Sequence, residues 1–134
     1  MRHAAMKAFL ASIVFGSLSC AQVFAAGTYT CNTTCGYGPY KCLTNELRRT
    51  YTLAFSKDEK SATVSGGGLS GTYATRKVGV YGDLVWSQPW SGSNHPISYR
   101  FGGYTKDLQV EITTTKQEGN SIVFLTNYYR GSCK

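Results

Sequence analysis

Histidine is almost missing from this chain: two in 134 residues, His3 and His95. Carboxylates are nearly as scarce, at seven: Glu46, Asp58, Glu59, Asp83, Asp107, Glu111 and Glu118. General acid–base catalysis needs a group that changes protonation near working pH, usually a His or a tuned carboxylate. Asp58 and Glu59 lie in a Lys-flanked turn and Glu118 at a hairpin tip, so these three read as solvated surface groups. Asp83 and Glu111 fall on β segments and alone are expected to face a sheet-lined cleft, with no spacing argument for a glycosidase pair. No Ser/His/Asp arrangement stands out. Gly66-Gly67-Gly68 is no phosphate cradle, because no Lys-Ser/Thr follows it and no helix opens there. Beyond the N-terminus no apolar run is long enough to cross a bilayer. Internal repeats and dividing linkers are absent too. One domain remains, with no legible catalytic machinery.

What is present begins with an export signal. Arg2, His3 and Lys7 precede the apolar run Ala8 to Phe15, and small residues lead to Val23-Phe24-Ala25-Ala26. That charged, apolar, small-residue order is the pattern of a secretory signal peptide over residues 1–25. The mature domain, 26–134, is then expected outside the cytosol, with Cys31, Cys35, Cys42 and Cys133 forming two disulfides. Three pairings are open to four cysteines. Clustered cysteines also suggest zinc, but the spacings of three and six intervening residues and a single mature histidine give no ligand set. No metal or cofactor is expected. Cys20 raises lipidation at the cleavage site, where a Leu three residues earlier is usual. Ser17 holds that position and Leu18 the next, so ordinary cleavage after Ala25 fits better.

Once Arg2 and Lys7 leave with the signal, 12 basic and 7 acidic residues give 12 − 7 = +5. A field of that sign favours anionic partners. Basic and aromatic residues interleave at Arg48-Arg49-Thr50-Tyr51, at Arg76-Lys77 before Tyr81, and at Tyr99-Arg100-Phe101. Such interleaving suits backbone phosphates with stacked bases. An ordinary cationic surface on a Tyr-rich exported protein is the simpler explanation.

Residues 28–42 read as a disulfide-braced hairpin or loop. Leu43, Leu47, Tyr51, Ala54 and Phe55 recur at helical spacing, with Asn45, Glu46, Arg48 and Arg49 opposite. Thr44 or Asn45 can cap such a helix. The spacing predicts a helix over 44–55, although Tyr51–Phe55 also alternates as a strand would. Strands are expected at Ala62–Val64, Thr72–Arg76, Val78–Trp86, Ile97–Phe101, Leu108–Thr115 and Ile122–Tyr129, with Lys116–Asn120 turning the last hairpin. The expected fold class is α+β, one helix packed on a twisted antiparallel sheet.

Laid out this way, the chain resembles the small secreted guanyl-specific ribonucleases of fungi, and more closely the ribonuclease-like effectors of plant-pathogenic fungi. The resemblance rests on Tyr29-Thr30-Cys31 after the cleavage site, on Cys35, Cys42 and Cys133, and on Leu47–Phe55 before the Asp58-Glu59 turn and Thr63-Val64. Tyr99-Arg100-Phe101, Leu108–Thr115 and Gly119-Asn120 resemble the late strands and hairpin. It implies a phosphate-facing arginine at Arg100. The family's histidines would fall near Thr114 and Tyr73-Ala74-Thr75, and its glutamate within Tyr81–Asp83, where only Asp83 carries a carboxylate. Losing a proton-transfer group forfeits roughly 10²–10⁴ in rate for each role. What this implies is a non-catalytic effector, secreted and acting in a host by binding RNA or a host protein. It would be a monomer with no DNA specificity and no membrane association in its mature form. Arg100, Tyr73, Arg76, Lys77, Tyr81 and Trp90 are the candidate binding residues.

Two other readings are carried forward. Ser70-Gly71-Thr72-Tyr73 resembles, one residue short, the Ser-Gly-x-x-Tyr element of bacterial lysozyme inhibitors, which implies a periplasmic β-barrel-like inhibitor of a cell-wall hydrolase. The positive charge sits badly against a basic lysozyme. An active ribonuclease using His95 and Glu111 is the third.

Overall fold

The structure is a computed structural model that describes residues 25–36 and 41–134. Residues 1–24 of the expected signal lie outside that description. Nine strands follow one another: β1 (Gly27–Cys35), β2 (Arg48–Phe55), β3 (Ser61–Gly66), β4 (Leu69–Ala74), β5 (Arg76–Val78), β6 (Asp83–Gln88), β7 (Ile97–Phe101), β8 (Asp107–Glu118) and β9 (Ser121–Ser132). No helix occurs among the described residues. The expected α+β class is therefore wrong; the fold is all-β, and the ribonuclease-like body of one helix on a sheet goes with it.

The error lies at residues 44–55. Tyr51, Leu53 and Phe55 are buried while Thr50 and Thr52 are exposed, a period of two. Leu43 and Leu47, which completed the helical stripe, are both 56% exposed. Strand β2 gains ladder partners on both sides, Cys31↔Tyr51 in β1 and Leu53↔Val64 in β3. Two ladders and an aromatic, β-branched sequence outweigh a helix propensity that packing nowhere rewards.

All pairings are antiparallel, in the order β4-β3-β2-β1-β9-β8-β7-β6-β5. The first and last of these are consecutive in the chain, parted only by Thr75. One bent strand thus pairs with β3 through β4 and with β6 through β5, nearly closing the sheet into a barrel. Thr75 fixes the changeover: its amide donates to the Lys60 carbonyl at 3.0 Å and its hydroxyl to the Glu59 carbonyl. Gly67 and Gly68, both at positive φ, form the two-residue β3–β4 hairpin, a tight turn rather than a loose loop.

Inward-facing rings fill the barrel. Tyr29 meets Phe101 at 4.9 Å between centroids and Phe101 meets Phe55 at 4.8 Å. Phe55 sets its edge on Trp86 at 5.6 Å, and Trp86 stacks on Tyr99 at 5.1 Å with 6° between planes. Contacts of this kind are worth about 0.5–1.5 kcal/mol each beyond their area. The interior is a packed core and not a ligand chamber.

The disulfides are Cys31–Cys133 and Cys35–Cys42. The first joins strand β1 to the C-terminus across 102 residues and sits on the Cys31↔Cys133 bridge. These bonds are compatible with an extracellular protein.

Candidate functional site

Strand alternation decides which side chains can reach a partner. In β6, β7 and β8 the residues Leu84, Trp86, Tyr99, Phe101, Leu108 and Val110 point into the core. Their neighbours Val85, Ser87, Ser98, Arg100, Gln109 and Glu111 must then face outward. Register places Arg76 opposite Val85, Val85 opposite Arg100, Arg100 opposite Gln109, and Gln109 opposite Arg130. Three arginines therefore share one lateral row, on every second strand, about 9–10 Å apart by the inter-strand spacing.

An open groove of about 800 Å³ lies along this outer face and runs to the parting of β4 from β6. Its lining takes in Thr75, Arg76, Arg100, Glu111 and Tyr128, together with Tyr73, whose ring packs against the core from β4. Arg100 donates through Nε to Asp83 at 2.9 Å, and Arg130 donates to Asp107 at 3.1 Å. Arg76 is exposed, with no carboxylate within 4.0 Å among the described residues, and Glu111 likewise has no cation within that range. The lining carries Arg76 and Arg100 against Glu111, 2 − 1 = +1, and Asp83, which holds Arg100 from outside the lining, brings the count to 0. The groove is charge-balanced although the molecule is basic.

Trp86 also contributes to the groove, yet it is only 4% exposed, and its indole N–H finds no acceptor among the described residues. A buried donor left unpaired costs about 1–3 kcal/mol. Beneath it, the Tyr99 hydroxyl donates to Gln88 at 2.7 Å, and burial pushes its pKa well above the ordinary tyrosine range. Tyr73 folds back over Gly71 on the same face of β4, so closely that a Cβ at position 71 would overlap the phenol. The segment Ser70–Tyr73 is thus a strand edge with a tyrosine pinned to it.

Of the six candidate binding residues, the structure brings together Tyr73, Arg76 and Arg100. Lys77 is elsewhere, holding the buried Glu59 carboxylate at 2.8 Å. Tyr81 lies in the β5–β6 turn beside Tyr104, 5.7 Å away. Trp90 sits in the loop before β7 and donates to the His95 carbonyl at 3.0 Å. The sequence reading missed Gln109, Tyr128 and Trp86. The apolar alternation of Leu108, Val110 and Ile112 was the available signal, since it turns Gln109 and Glu111 outward.

His95 packs edge-on against Phe124 at 5.0 Å and takes no part in the groove, so it does not meet Glu111 there. Glu59 is not the solvated turn residue that its sequence suggested. It is 4% exposed and adopts a φ of 60°, which turns its side chain under the barrel. No cluster of three or more His, Cys, Asp or Glu able to hold a metal occurs among the described residues.

Comparison with known proteins leaves this geometry to stand alone: no family model, no curated protein and no solved structure matches the chain. Nothing links it to ribonuclease-like effectors.

Proposed function

We propose that this is an exported, non-enzymatic protein that binds a cell-wall hydrolase and blocks it through the groove beside β4. The observation that carries the reading is the groove in which Arg76 and the Asp83-held Arg100 stand with Glu111, and to which Tyr73 of the Ser70–Tyr73 segment contributes. The β-barrel-like architecture anticipated for such an inhibitor is also the one this chain adopts.

Charge separates this reading from RNA binding. A phosphate backbone rewards uncompensated cations. Here Arg100 is already held by Asp83, and Glu111 would repel a phosphate. Paired arginine and carboxylate groups among serines, a glutamine and tyrosines suit a protein surface, where alternating charge fixes register. Glycan hydrolases present two catalytic carboxylates in a cleft, and Arg76, which has no carboxylate within 4.0 Å among the described residues, can meet one of them. The excess positive charge lies outside the groove, on residues such as Lys41, Arg48, Lys57, Lys60 and Lys134, so the objection drawn from net charge loses force.

The test is a clearing assay on a bacterial cell-wall suspension with a panel of muramidases, each titrated with the mature protein. Stoichiometric inhibition of at least one enzyme is expected. Tyr73→Ala and Arg76→Glu should each weaken it at least about tenfold, roughly 1.4 kcal/mol. Raising salt from about 50 to 200 mM should change affinity far less than the roughly 10³-fold loss of a phosphate-driven complex. Full activity of every enzyme, together with salt-sensitive retention of single-stranded RNA, would sink the proposal.

A further inference from the structure

The end of the barrel opposite the β8–β9 tip holds an unusual arrangement. Ala25 is wholly buried, and its backbone nitrogen lies 2.8 Å from Oε2 of Glu59. The other oxygen of that carboxylate, Oε1, is 2.8 Å from the Lys77 ammonium. The Glu59 side chain is only 2% exposed. Glu59 also sits on the hinge of the fold, because its carbonyl accepts from Thr75 where the bent strand changes partner. Besides Lys77 on β5, the ionisable groups whose charge interacts with Glu59 are Tyr29 on β1 and Lys106 from the β7–β8 turn.

The donor now on Oε2 is a neutral amide, and it belongs to the last residue of the expected signal. We propose that Glu59 is the receptor for the α-amino group released by signal removal after Ala25. The cut follows Val23-Phe24-Ala25, where Val and Ala hold the small-residue positions. An export peptidase adds water across the Ala25–Ala26 bond. Hydroxyl goes to the Ala25 carbonyl, a proton to the Ala26 nitrogen, and the amine takes a further proton from solvent. The new ammonium starts one residue from the carboxylate, and consecutive Cα atoms are about 3.8 Å apart. Gly27, at φ 124° with open space where a Cβ would be, lets the two-residue terminus fold into the place that Ala25 leaves. A charge-assisted hydrogen bond then replaces a neutral one on a buried carboxylate. Processing thereby locks the N-terminus onto the strand changeover that closes the barrel.

The proposal rests on export of the chain and not on the inhibitor reading, and its test uses no hydrolase. The recombinant chain starting at Ala26, with both disulfides formed, is reductively ¹³C-dimethylated and its α-amine titrated by NMR. Titration at least one unit above the ordinary α-amino value of about 7.7–8.0 is expected. Glu59→Gln should return it to that range; should this variant not fold, the wild-type value alone decides. An ordinary value in the folded wild type overturns the proposal. So does an exported protein whose intact mass retains Ala25.

Discussion

Leu47 and Leu53 lie six positions apart and separate the two structures that residues 44–55 could adopt. In a helix 44–55 Leu47 would belong to the buried stripe. In the strand, Leu53 is fully buried and Leu47 is mostly exposed. Leu53→Ala should therefore cost about 2–5 kcal/mol, and Leu47→Ala should stay within about 0.5 kcal/mol; urea unfolding of both variants checks this. A large loss at Leu47 with little at Leu53 would restore the helix. A second residue-scale consequence concerns Gly71. Gly71→Ala collides with the Tyr73 phenol, which packs against the core as well as lining the groove, so inhibition and the urea midpoint should both fall. The tyrosines make a third. Burial raises the pKa of Tyr51, Tyr99 and Tyr129, so their neutral forms favour the folded state. That stability is complete below the unfolded value of about 10 and is lost as pH climbs toward the raised values. Phenolate absorbance from this buried set should accordingly appear only together with unfolding.

At the scale of elements, β3, β7, β8 and β9 fall where strands were expected, whereas β1 lies in the stretch read as a hairpin or loop and the expected strand Val78–Trp86 is cut by the Gly79–Gly82 turn. Ile97–Phe101 was expected as a strand and shows strict alternation of buried and exposed residues, because its apolar positions leave one solution. Strands β8 and β9 run longer than expected, to Glu118 and from Ser121, since register across the Gly119-Asn120 turn pairs every residue of the arm. The helix reading failed for a physical reason: Leu43, Leu47 and Tyr51 keep helical spacing by coincidence, and only long-range partners in β1 and β3 reveal the competing period. The change of partner at Thr75 was not legible either. No glycine or proline marks it; bonds from the Glu59–Lys60 turn impose it. The groove was half legible for the same reason. Arg76 and Arg100 stood out by composition, but their neighbourhood depends on register across β5, β6 and β7. One element-scale prediction follows from the crossing of β1 over β9. A Cβ at Gly131 would run into the Asn32 backbone, which cannot swing aside as a side chain would. Gly131→Ala should cost at least about 1–3 kcal/mol in urea unfolding.

For the whole molecule, the two disulfides hold different things. Cys31–Cys133 closes 102 residues and, in the loop-entropy account, contributes roughly 4–5 kcal/mol; Cys35–Cys42 closes a short loop worth about half as much. Replacing the long-range pair with serines should lower the thermal midpoint far more than replacing the short one. The barrel then acts as a rigid frame: rings fill it, a disulfide seals the β1–C-terminal seam, and its outer face carries the groove. Hydrogen–deuterium exchange on the mature protein, alone and bound to the hydrolase it inhibits, reads that arrangement most directly. The account predicts slowed exchange in Leu69–Ala74 and Asp83–Gln88, with the Gly79–Gly82 and Gly102–Lys106 turns unchanged. Protection confined to those turns, or a hydrolase complex that leaves β4 and β6 exchanging freely, would contradict it.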